Sequence, residues 1–312
     1  MRAVAAGIYV AMSCATYAQA VFMKSDVVFN PAVYEFGVPE PSIRVFPAKG
    51  APFTITLPFA PGNIAFSQDG DAVYACGSSS SHRVGSPRGE GAHALAKITF
   101  KPVQSIEINT SERLAIVSIS KPSSSSVVFI SGNRNSTAGS SRQAGIFEIN
   151  ETNGRLRPLK LVEDPTATGT WPLSHWTDLS ASPSGSFVAT TRNRVLEIIS
   201  LSDGSIRTIA GLAMGRWSPD GKWLAAVDLV KGRIVIMDAV TLAITKTLSG
   251  SDAVWSPDSK LLLGVEFGHG CSPYFGTLRT VELLSGKVTL VETSKCQVKQ
   301  ALLGWLRADI TN

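Results

Sequence analysis

A short recurring pattern places the strongest limit on what this chain can fold into. The clearest copies are residues 217–226 and 255–264, which read WSPDGKWLAA and WSPDSKLLLG. Weaker copies, FSQDGDAVYA and LSASPSGSFVA, occupy residues 66–75 and 179–189. Four copies of one pattern indicate a repeat architecture, in which each unit buries its apolar surface against its neighbours. Trp217, Trp255 and Trp305 recur at equivalent strand positions and are predicted to pack between these units.

Each copy has the chemistry of a β-hairpin turn. Proline sets the backbone angle of the second turn position, aspartate or serine can bond the local backbone, and glycine accepts the positive φ that ends the turn. Two further β-rich runs follow the hairpin, for example residues 233–237 and 244–248. One repeat therefore contains four strands, as a propeller blade does.

The stretch Trp-Ser-Pro-Asp-Gly-Lys-x-Leu-Ala at residues 217–225 resembles the repeat of TolB-like propellers and the related WD-repeat hairpin. The resemblance covers the propeller part only, because the short segment before the first strands has no counterpart of the N-terminal α/β domain of TolB. It implies an all-β fold and a protein of the cell envelope that docks other proteins.

The spacing of the turns predicts the number of blades. Five turns begin at positions 67, 121, 182, 218 and 256. The C-terminal run 301–306 resembles a sixth innermost strand, and residues 42–46 and 53–57 resemble outer strands. We predict a single β-propeller over residues 21–312 with six four-stranded blades, closed by pairing the C-terminal strand with these N-terminal strands. The long second repeat leaves room for a seventh blade.

The first 20 residues predict a secretory signal peptide. Arg2 gives a positive start, residues 3–12 are almost wholly apolar, and Ala18-Gln19-Ala20 fits the small-x-small cleavage pattern. We expect cleavage after Ala20 and an exported protein, periplasmic or extracellular. Lipidation at Cys14 is a weaker alternative, because the residue at position 11 is alanine where a lipobox usually has leucine. No later stretch has the length of a transmembrane helix.

Charge and motifs exclude several functions. The formal net charge of +5 is dispersed, so we expect no nucleic-acid partner. The chain contains no nucleophile elbow, no zinc-binding His-Glu-x-x-His and no phosphate-binding glycine loop, so we expect no cofactor and no metal.

Ser118 and Lys121 match a Ser-x-x-Lys pattern by chance. His175 and Asp178 are expected on opposite faces of a strand by alternation, so they are not predicted to form a catalytic pair.

An exported protein reaches an oxidising compartment, where its cysteines can form disulfides. Three remain after removal of the signal peptide. Cys271 and Cys296 are both expected near the long-loop face of the last blade, and we predict a disulfide between them. Cys76 ends an apolar strand and is expected to be a small buried residue.

The long insertions predict where a binding site lies. In a propeller the short hairpins lie on one face, and residues 77–93, 132–144, 163–171 and 268–277 fall on the opposite face. They could equally be solvated polar loops. The candidate binding residues on this long-loop face are His82, Arg83, Arg88, His93, Arg134, Arg142, Trp171, His175 and His269.

Two functions fit these observations. The first is a non-catalytic module that binds another protein of the envelope through the long-loop face. The alternative is a lactonase-like propeller hydrolase that acts on a small molecule at the channel mouth. An enzyme would gather several carboxylates there. The loops assigned to this face carry only scattered acids, such as Glu90, Glu163 and Asp164, which favours the binding function.

Overall fold

The computed structural model describes residues 19–23, 42–46, 53–56, 60–68, 71–78, 93–100, 103–110, 114–122, 127–134, 143–163, 176–250, 252–267, 275–290, 298–299 and 302–306. Within these residues every regular element is a β-strand, which confirms the all-β prediction. No helix in this part of the chain is long and apolar enough to cross a membrane.

Each of five antiparallel sheets is built from four strands that follow one another in the chain. Sheet 1 contains β4 (Ala60–Phe66), β5 (Ala72–Ser78), β6 (His93–Phe100) and β7 (Val103–Glu107). Sheet 2 contains β8 (Leu114–Ser120), β9 (Val127–Arg134), β10 (Gln143–Asn150) and β11 (Leu156–Glu163). Sheet 3 contains β12 (Thr177–Ala181), β13 (Phe187–Arg192), β14 (Val195–Ser200) and β15 (Ile206–Ala210). Sheet 4 contains β16 (Leu212–Trp217), β17 (Trp223–Asp228), β18 (Arg233–Asp238) and β19 (Ile244–Ser249). Sheet 5 contains β20 (Asp252–Trp255), β21 (Leu261–Phe267), β22 (Phe275–Glu282) and β23 (Val288–Leu290). A short strand β24 (Val298–Lys299) also pairs with β22. This is the blade arrangement of a β-propeller. Five blades of this kind are present among the described residues, where six were predicted and a seventh was left open, and the remaining strands come from the two ends of the chain.

A further sheet combines the two ends of the chain. Its strands β1 (Gln19–Met23), β2 (Ser42–Phe46), β3 (Phe53–Thr56) and β25 (Leu302–Leu306) follow the order β25-β1-β2-β3. The C-terminal strand pairs with β1, with Ala20 opposite Trp305. The strand β1 was not foreseen, because its first two residues were assigned to the end of a signal peptide. Cleavage after Ala20 would leave Val21–Met23 to make this pairing.

The recurring pattern is a hydrogen-bonded unit in which serine closes the turn. In sheet 4 the amide of Ser218 donates to the carbonyl of Trp223 at 2.9 Å, and the amide of Trp223 donates to the Ser218 hydroxyl at 2.9 Å. The amide of Gly221 closes the turn by donating to the carbonyl of Ser218 at 2.9 Å. Equivalent serine bonds occur at Ser67, Ser182 and Ser256. The turns therefore lie where the repeat predicted them.

One copy departs from glycine at the position that needs a positive φ. Gly185 and Gly221 have φ of 70° and 73°, and Ser259 occupies the same position of the third turn with φ of 60°. The Ser259 hydroxyl accepts a hydrogen bond from the amide of Asp220 in the neighbouring sheet at 2.9 Å. A serine is therefore used here to join two sheets, at the cost of a conformation that glycine adopts more readily.

The apolar core lies between neighbouring sheets. One cluster joins sheets 1 and 2 around Tyr74 and Phe147, both fully buried. Other clusters join sheets 2 and 3, sheets 3 and 4, and sheets 4 and 5. Trp217 and Trp255 each belong to such a cluster, which confirms their predicted packing between blades. Cys76 is also buried in the first cluster, as predicted for a small apolar residue.

Serine hydroxyls join the innermost strands of adjacent sheets. The amides of Leu179 and Ala181 in β12 donate to the hydroxyls of Ser118 and Ser120 in β8 at 2.9 and 2.8 Å. The amide of Trp217 in β16 donates to the hydroxyl of Ser180 in β12 at 3.1 Å. Because these amides face the preceding sheet and not a strand of their own sheet, a side chain must satisfy them. Ser118 therefore has a structural role.

A buried ion cluster ties sheets 1 and 2 together. The carboxylate of Glu151, in the turn between β10 and β11, accepts hydrogen bonds from the Tyr74 hydroxyl at 2.9 Å and from Lys97 Nζ at 3.0 Å. Lys121 Nζ lies 2.6 Å from the other carboxylate oxygen. The side chains of Glu151 and Lys121 are 13% and 8% exposed, so the charges compensate each other out of bulk water.

This cluster makes the stability of the fold depend on pH. Burial opposes the ionisation of Glu151, but the hydrogen bonds from Lys121, Lys97 and Tyr74 outweigh it, so the pKa of this carboxyl lies below its ordinary value of 4.5. The ionised form is therefore favoured in the folded state. Its contribution to stability is present above pH 4.5 and is lost as the pH falls through the lowered pKa.

Replacing Glu151 with glutamine should lower the free energy of unfolding at pH 7 by about 3 kcal/mol, because Lys121 would remain buried without this counter-ion. The difference from the wild type should shrink below pH 4.5, where the wild type loses the same interaction. Urea unfolding at pH 7 and pH 3 measures both effects. As a control, Glu148→Gln removes an ion pair with Arg157, which is 64% exposed, and should cost less than about 1 kcal/mol. Equal losses for the two variants would contradict this account.

Candidate functional site at the channel mouth

Two of the nine predicted binding residues lie in the described strands. His93 is the first residue of β6 and pairs with Ser78 at the end of β5. Arg134 is the last residue of β9 and pairs with Leu114, the first residue of β8. The remaining predicted residues lie outside the described residues, as do the two cysteines of the predicted disulfide: His82, Arg83, Arg88, Arg142, Trp171, His175, His269, Cys271 and Cys296.

The described strand ends agree on where the long insertions attach. The pairing of Arg134 with Leu114 shows that β9 ends at the sheet edge where the innermost strand β8 begins. We call this the long-loop edge, and define it as the edge at which β4, β8, β12, β16 and β20 begin. Segments 79–92, 135–142, 164–175 and 268–274 all join described strands at this edge. The first residues of the innermost strands therefore lie at the same edge as the attachment points of these segments.

Two innermost strands are bulged near the long-loop edge. The pairing of β12 with β13 shifts between Thr177 and Ser180, and that of β16 with β17 shifts between Ala213 and Arg216. Asp178 and Met214 have φ of 54° and 55° in these bulges, a conformation that residues other than glycine rarely adopt. A bulge re-aims the side chains around it. The alternation of side chains expected along a regular strand therefore does not hold at Asp178.

The bulges place an arginine of one sheet beside an aspartate of the next. Arg216 Nη1 donates to the backbone carbonyl of Asp178 at 2.9 Å and to that of Gly215 at 3.3 Å. Arg216 Nη2 lies 4.0 Å from Asp178 Oδ1, and the two side chains are 23% and 27% exposed. The guanidinium is thus oriented by backbone acceptors and remains partly accessible.

A second aspartate completes the cluster from the next innermost strand. Asp252 is the first residue of β20, and its Oδ1 accepts a hydrogen bond from the amide of Ala253 at 2.8 Å. Burial raises the pKa of the Asp252 carboxyl, the charge of Arg216 opposes this, and the charge of Asp178 adds to it. Three consecutive innermost strands therefore contribute one charged group each, in the order Asp, Arg, Asp. We call Asp178, Arg216 and Asp252 the mouth cluster.

Other polar side chains of sheet 3 lie at the same edge. Trp176, which directly precedes β12, is buried, and its Nε1 donates to Glu197 Oε2 at 2.7 Å. The Arg192 guanidinium carbon lies 5.2 Å from the centre of the Trp176 ring, within cation–π distance. These contacts hold the residue at which β12 begins, so they support the position of Asp178.

The mouth cluster was not predicted from the sequence, because the carboxylates of a site were expected in the long loops. Asp178 and Asp252 instead lie on innermost strands, each four residues before the serine of a repeat (182 − 178 and 256 − 252). That shared spacing was the available signal. In the intervening repeat the same position holds Met214, and the charge is supplied by Arg216 nearer the turn.

The chemistry of the cluster is that of charge recognition and proton transfer. A partly exposed guanidinium can bind a carboxylate or a polarised carbonyl oxygen, and a half-buried carboxyl with a raised pKa, such as that of Asp252, is found at many functional sites. Among the residues that the structure describes, no group of three or more His, Cys, Asp or Glu side chains could hold a metal ion. The expected absence of a cofactor stays a prediction.

Known proteins match this chain in fold only. No family model and no curated protein sequence match it. A structure assigned as TolB from Agrobacterium tumefaciens covers 93% of this chain and 91% of its own, at 14% identity and a TM-score of 0.52. A periplasmic gluconolactonase from Pseudomonas aeruginosa covers 93% and 99%, at 13% identity and a TM-score of 0.50. A chain of a nidogen/laminin complex covers 87% and 92%, at 11% identity and a TM-score of 0.54. These likenesses support the β-propeller fold.

The raised pKa of Asp252 leads to a stability prediction with a defined sign. A carboxyl whose pKa is higher in the folded state destabilises the fold as the pH rises above its ordinary value of 3.8. Asp252→Asn keeps the acceptor for Ala253 and removes the charge. We expect this variant to resist urea better than the wild type at pH 7, with a smaller difference near pH 4.

A neighbouring aspartate provides a control of opposite sign. The amide of Lys231 is the main cause that lowers the pKa of Asp228, and the Arg233 side chain adds to the effect. Asp228→Asn should therefore make the protein less resistant to urea at pH 7. If both substitutions change stability in the same direction, the electrostatic account of Asp252 is wrong.

Proposed function

We propose that this protein is an exported, non-catalytic propeller that docks another protein of the cell envelope at the channel mouth on its long-loop face. The observation that carries the proposal is the mouth cluster at the edge where the long insertions attach. Arg216 is oriented by the carbonyl of Asp178 and is partly exposed. Such a guanidinium, with carboxylates of the adjacent strands beside it, suits a polar partner surface that carries both acceptors and donors.

The sheet formed by both chain ends would complete the scaffold. We infer that it lies between the first and the last of the five blades and closes the ring. Within the described residues β25 contacts both β20 and β4, and each innermost strand from β4 to β20 contacts the next. Closure by strands from both ends removes open sheet edges and ties the termini into the fold. A closed ring would hold the three mouth-cluster strands at fixed distances.

The docking function can be tested by crosslinking pull-down from intact envelopes with the mature protein as bait. Shortening segments 79–92 and 135–142 should reduce recovery of a specific partner at least tenfold. Arg216→Lys should do the same, since lysine keeps the charge but lacks the planar fork of donors. Lys222→Ala, on an exposed side chain in the turn at the opposite edge, is the matched control and should leave recovery unchanged. A partner that is indifferent to both changes would overturn the proposal.

A second function, hydrolysis of a small molecule at the channel mouth, is favoured by Asp252. Burial raises the pKa of its carboxyl, and an adjacent guanidinium could polarise a carbonyl oxygen. The likeness to a gluconolactonase suggests a lactone as the first substrate to try. The support is weaker than for docking, because fold likeness does not carry activity.

The hydrolase alternative is tested by following gluconolactone hydrolysis by the purified mature protein above the uncatalysed rate. If Asp252 acts as a general acid or base, Asp252→Asn should lower kcat at least a hundredfold, roughly the contribution of such groups. The urea resistance of the same variant shows whether it is folded. No hydrolysis of this or related lactones would remove the alternative.

A further inference from the structure

A groove opens between sheets 3 and 4 at the edge opposite the mouth cluster. Its volume is about 720 Å³. The wall from sheet 3 includes Phe187, Ile198 and Arg207, and the wall from sheet 4 includes Trp217, Asp220 and Val240. The groove is separate from the proposed docking face, because these residues lie in or beside the short turns.

A buried donor beside this groove has no partner within the part of the chain that the structure describes. Trp217 Nε1 makes no hydrogen bond among the described residues, although Trp217 is only 6% exposed. At the same position of the next repeat, Trp255 Nε1 donates to the carbonyl of Arg216 at 2.9 Å. The repeat thus supplies an internal comparison, in which one indole is satisfied within the fold and the other is not. A buried unsatisfied donor is costly and calls for an explanation.

The groove has charges of both signs. Arg207, on the outermost strand β15, donates to the carbonyl of Val240 at 3.2 Å. Asp220 lies on the opposite wall, where it accepts a hydrogen bond from the Ser218 hydroxyl at 2.6 Å. One positive and one negative charge on facing walls favour a neutral occupant with a dipole over an anion or a cation.

We propose that this groove binds an extended segment of a partner protein, which inserts an aliphatic side chain between Phe187 and Val240 and offers a backbone carbonyl to Trp217 Nε1. The apolar part of the lining suits the side chain, and the amide group is the neutral dipole that the facing charges favour.

Two observations favour a peptide over an isolated small molecule. The strand β15 is the outermost strand of sheet 3 within the described residues, so its free edge can pair with an extended backbone beside the groove. Val240 is 78% exposed, which extends the apolar surface beyond the groove itself. The Nε1 atom is shielded in the free protein, so the indole must rotate slightly on binding, a common change at interfaces.

The test follows the indole resonances of the ¹⁵N-labelled mature protein while acetyl-Ala-Leu-Ala-amide is added. We expect the Trp217 resonance to shift saturably and that of Trp255 to stay in place. Trp217→Phe, which identifies the resonance, should weaken binding of the peptide about tenfold, the value of one hydrogen bond to an otherwise unsatisfied donor. Trp255→Phe is the matched control and should leave affinity unchanged.

Stability measurements keep this test informative. Both substitutions remove similar buried apolar surface, but only Trp255→Phe also loses a hydrogen bond, so Trp217→Phe should melt a few degrees higher than Trp255→Phe. Val240→Asp should abolish binding of the peptide. Val230→Asp, at an equally exposed valine of the opposite edge, should not affect it.

Three results would overturn the proposal. The first is a Trp217 resonance that does not move, and the second is a Trp217→Phe variant that binds the peptide as well as the wild type. The third is equal competition by isopentyl alcohol, which carries the same side chain without a carbonyl and would indicate a site for small apolar molecules instead.

Discussion

The arrangement of this molecule depends on serine hydroxyls that accept hydrogen bonds from backbone amides. Within each repeat the serine after the innermost strand closes the hairpin, as Ser218 does for Trp223. Between repeats, Ser118 and Ser180 satisfy amides of the next innermost strand. These amides face a neighbouring sheet whose own backbone cannot reach them, and an unpaired buried amide is costly. The hydroxyls therefore fix both the hairpins and the spacing between the sheets.

The same spacing creates the two regions to which we assign functions. At the long-loop edge, bulges at Asp178 and Met214 turn the backbones of β12 and β16 out of regular pairing. Arg216 and the flanking aspartates are thereby held together although they belong to three sheets. At the opposite edge, the aromatic side chains of Trp217 and Trp255 pack between neighbouring sheets. Where the filling is incomplete, beside Trp217, a groove remains.

Prediction from the sequence succeeded where a local pattern carries its own chemistry. The turns at Ser67, Ser182 and Ser256, and the packing of Trp217 and Trp255 between sheets, were foreseen because hairpin chemistry and apolar periodicity are local. The strand β1 was missed because Gln19 and Ala20 also fit a cleavage site. The mouth cluster was missed because a bulge at Asp178 breaks the alternation on which strand reasoning rests.

The sequence by itself determined the repeat, the four strands of each unit and the positions of the tight turns, because each depends on residues close together in the chain. Tertiary structure decided which charges meet and which donors remain unsatisfied. Asp178, Arg216 and Asp252 lie far apart in sequence and come together only because the innermost strands of successive sheets stand side by side. Trp217 and Trp255 occupy the same place in the repeat, yet only the packing of the sheets leaves the Trp217 indole without a partner among the described residues.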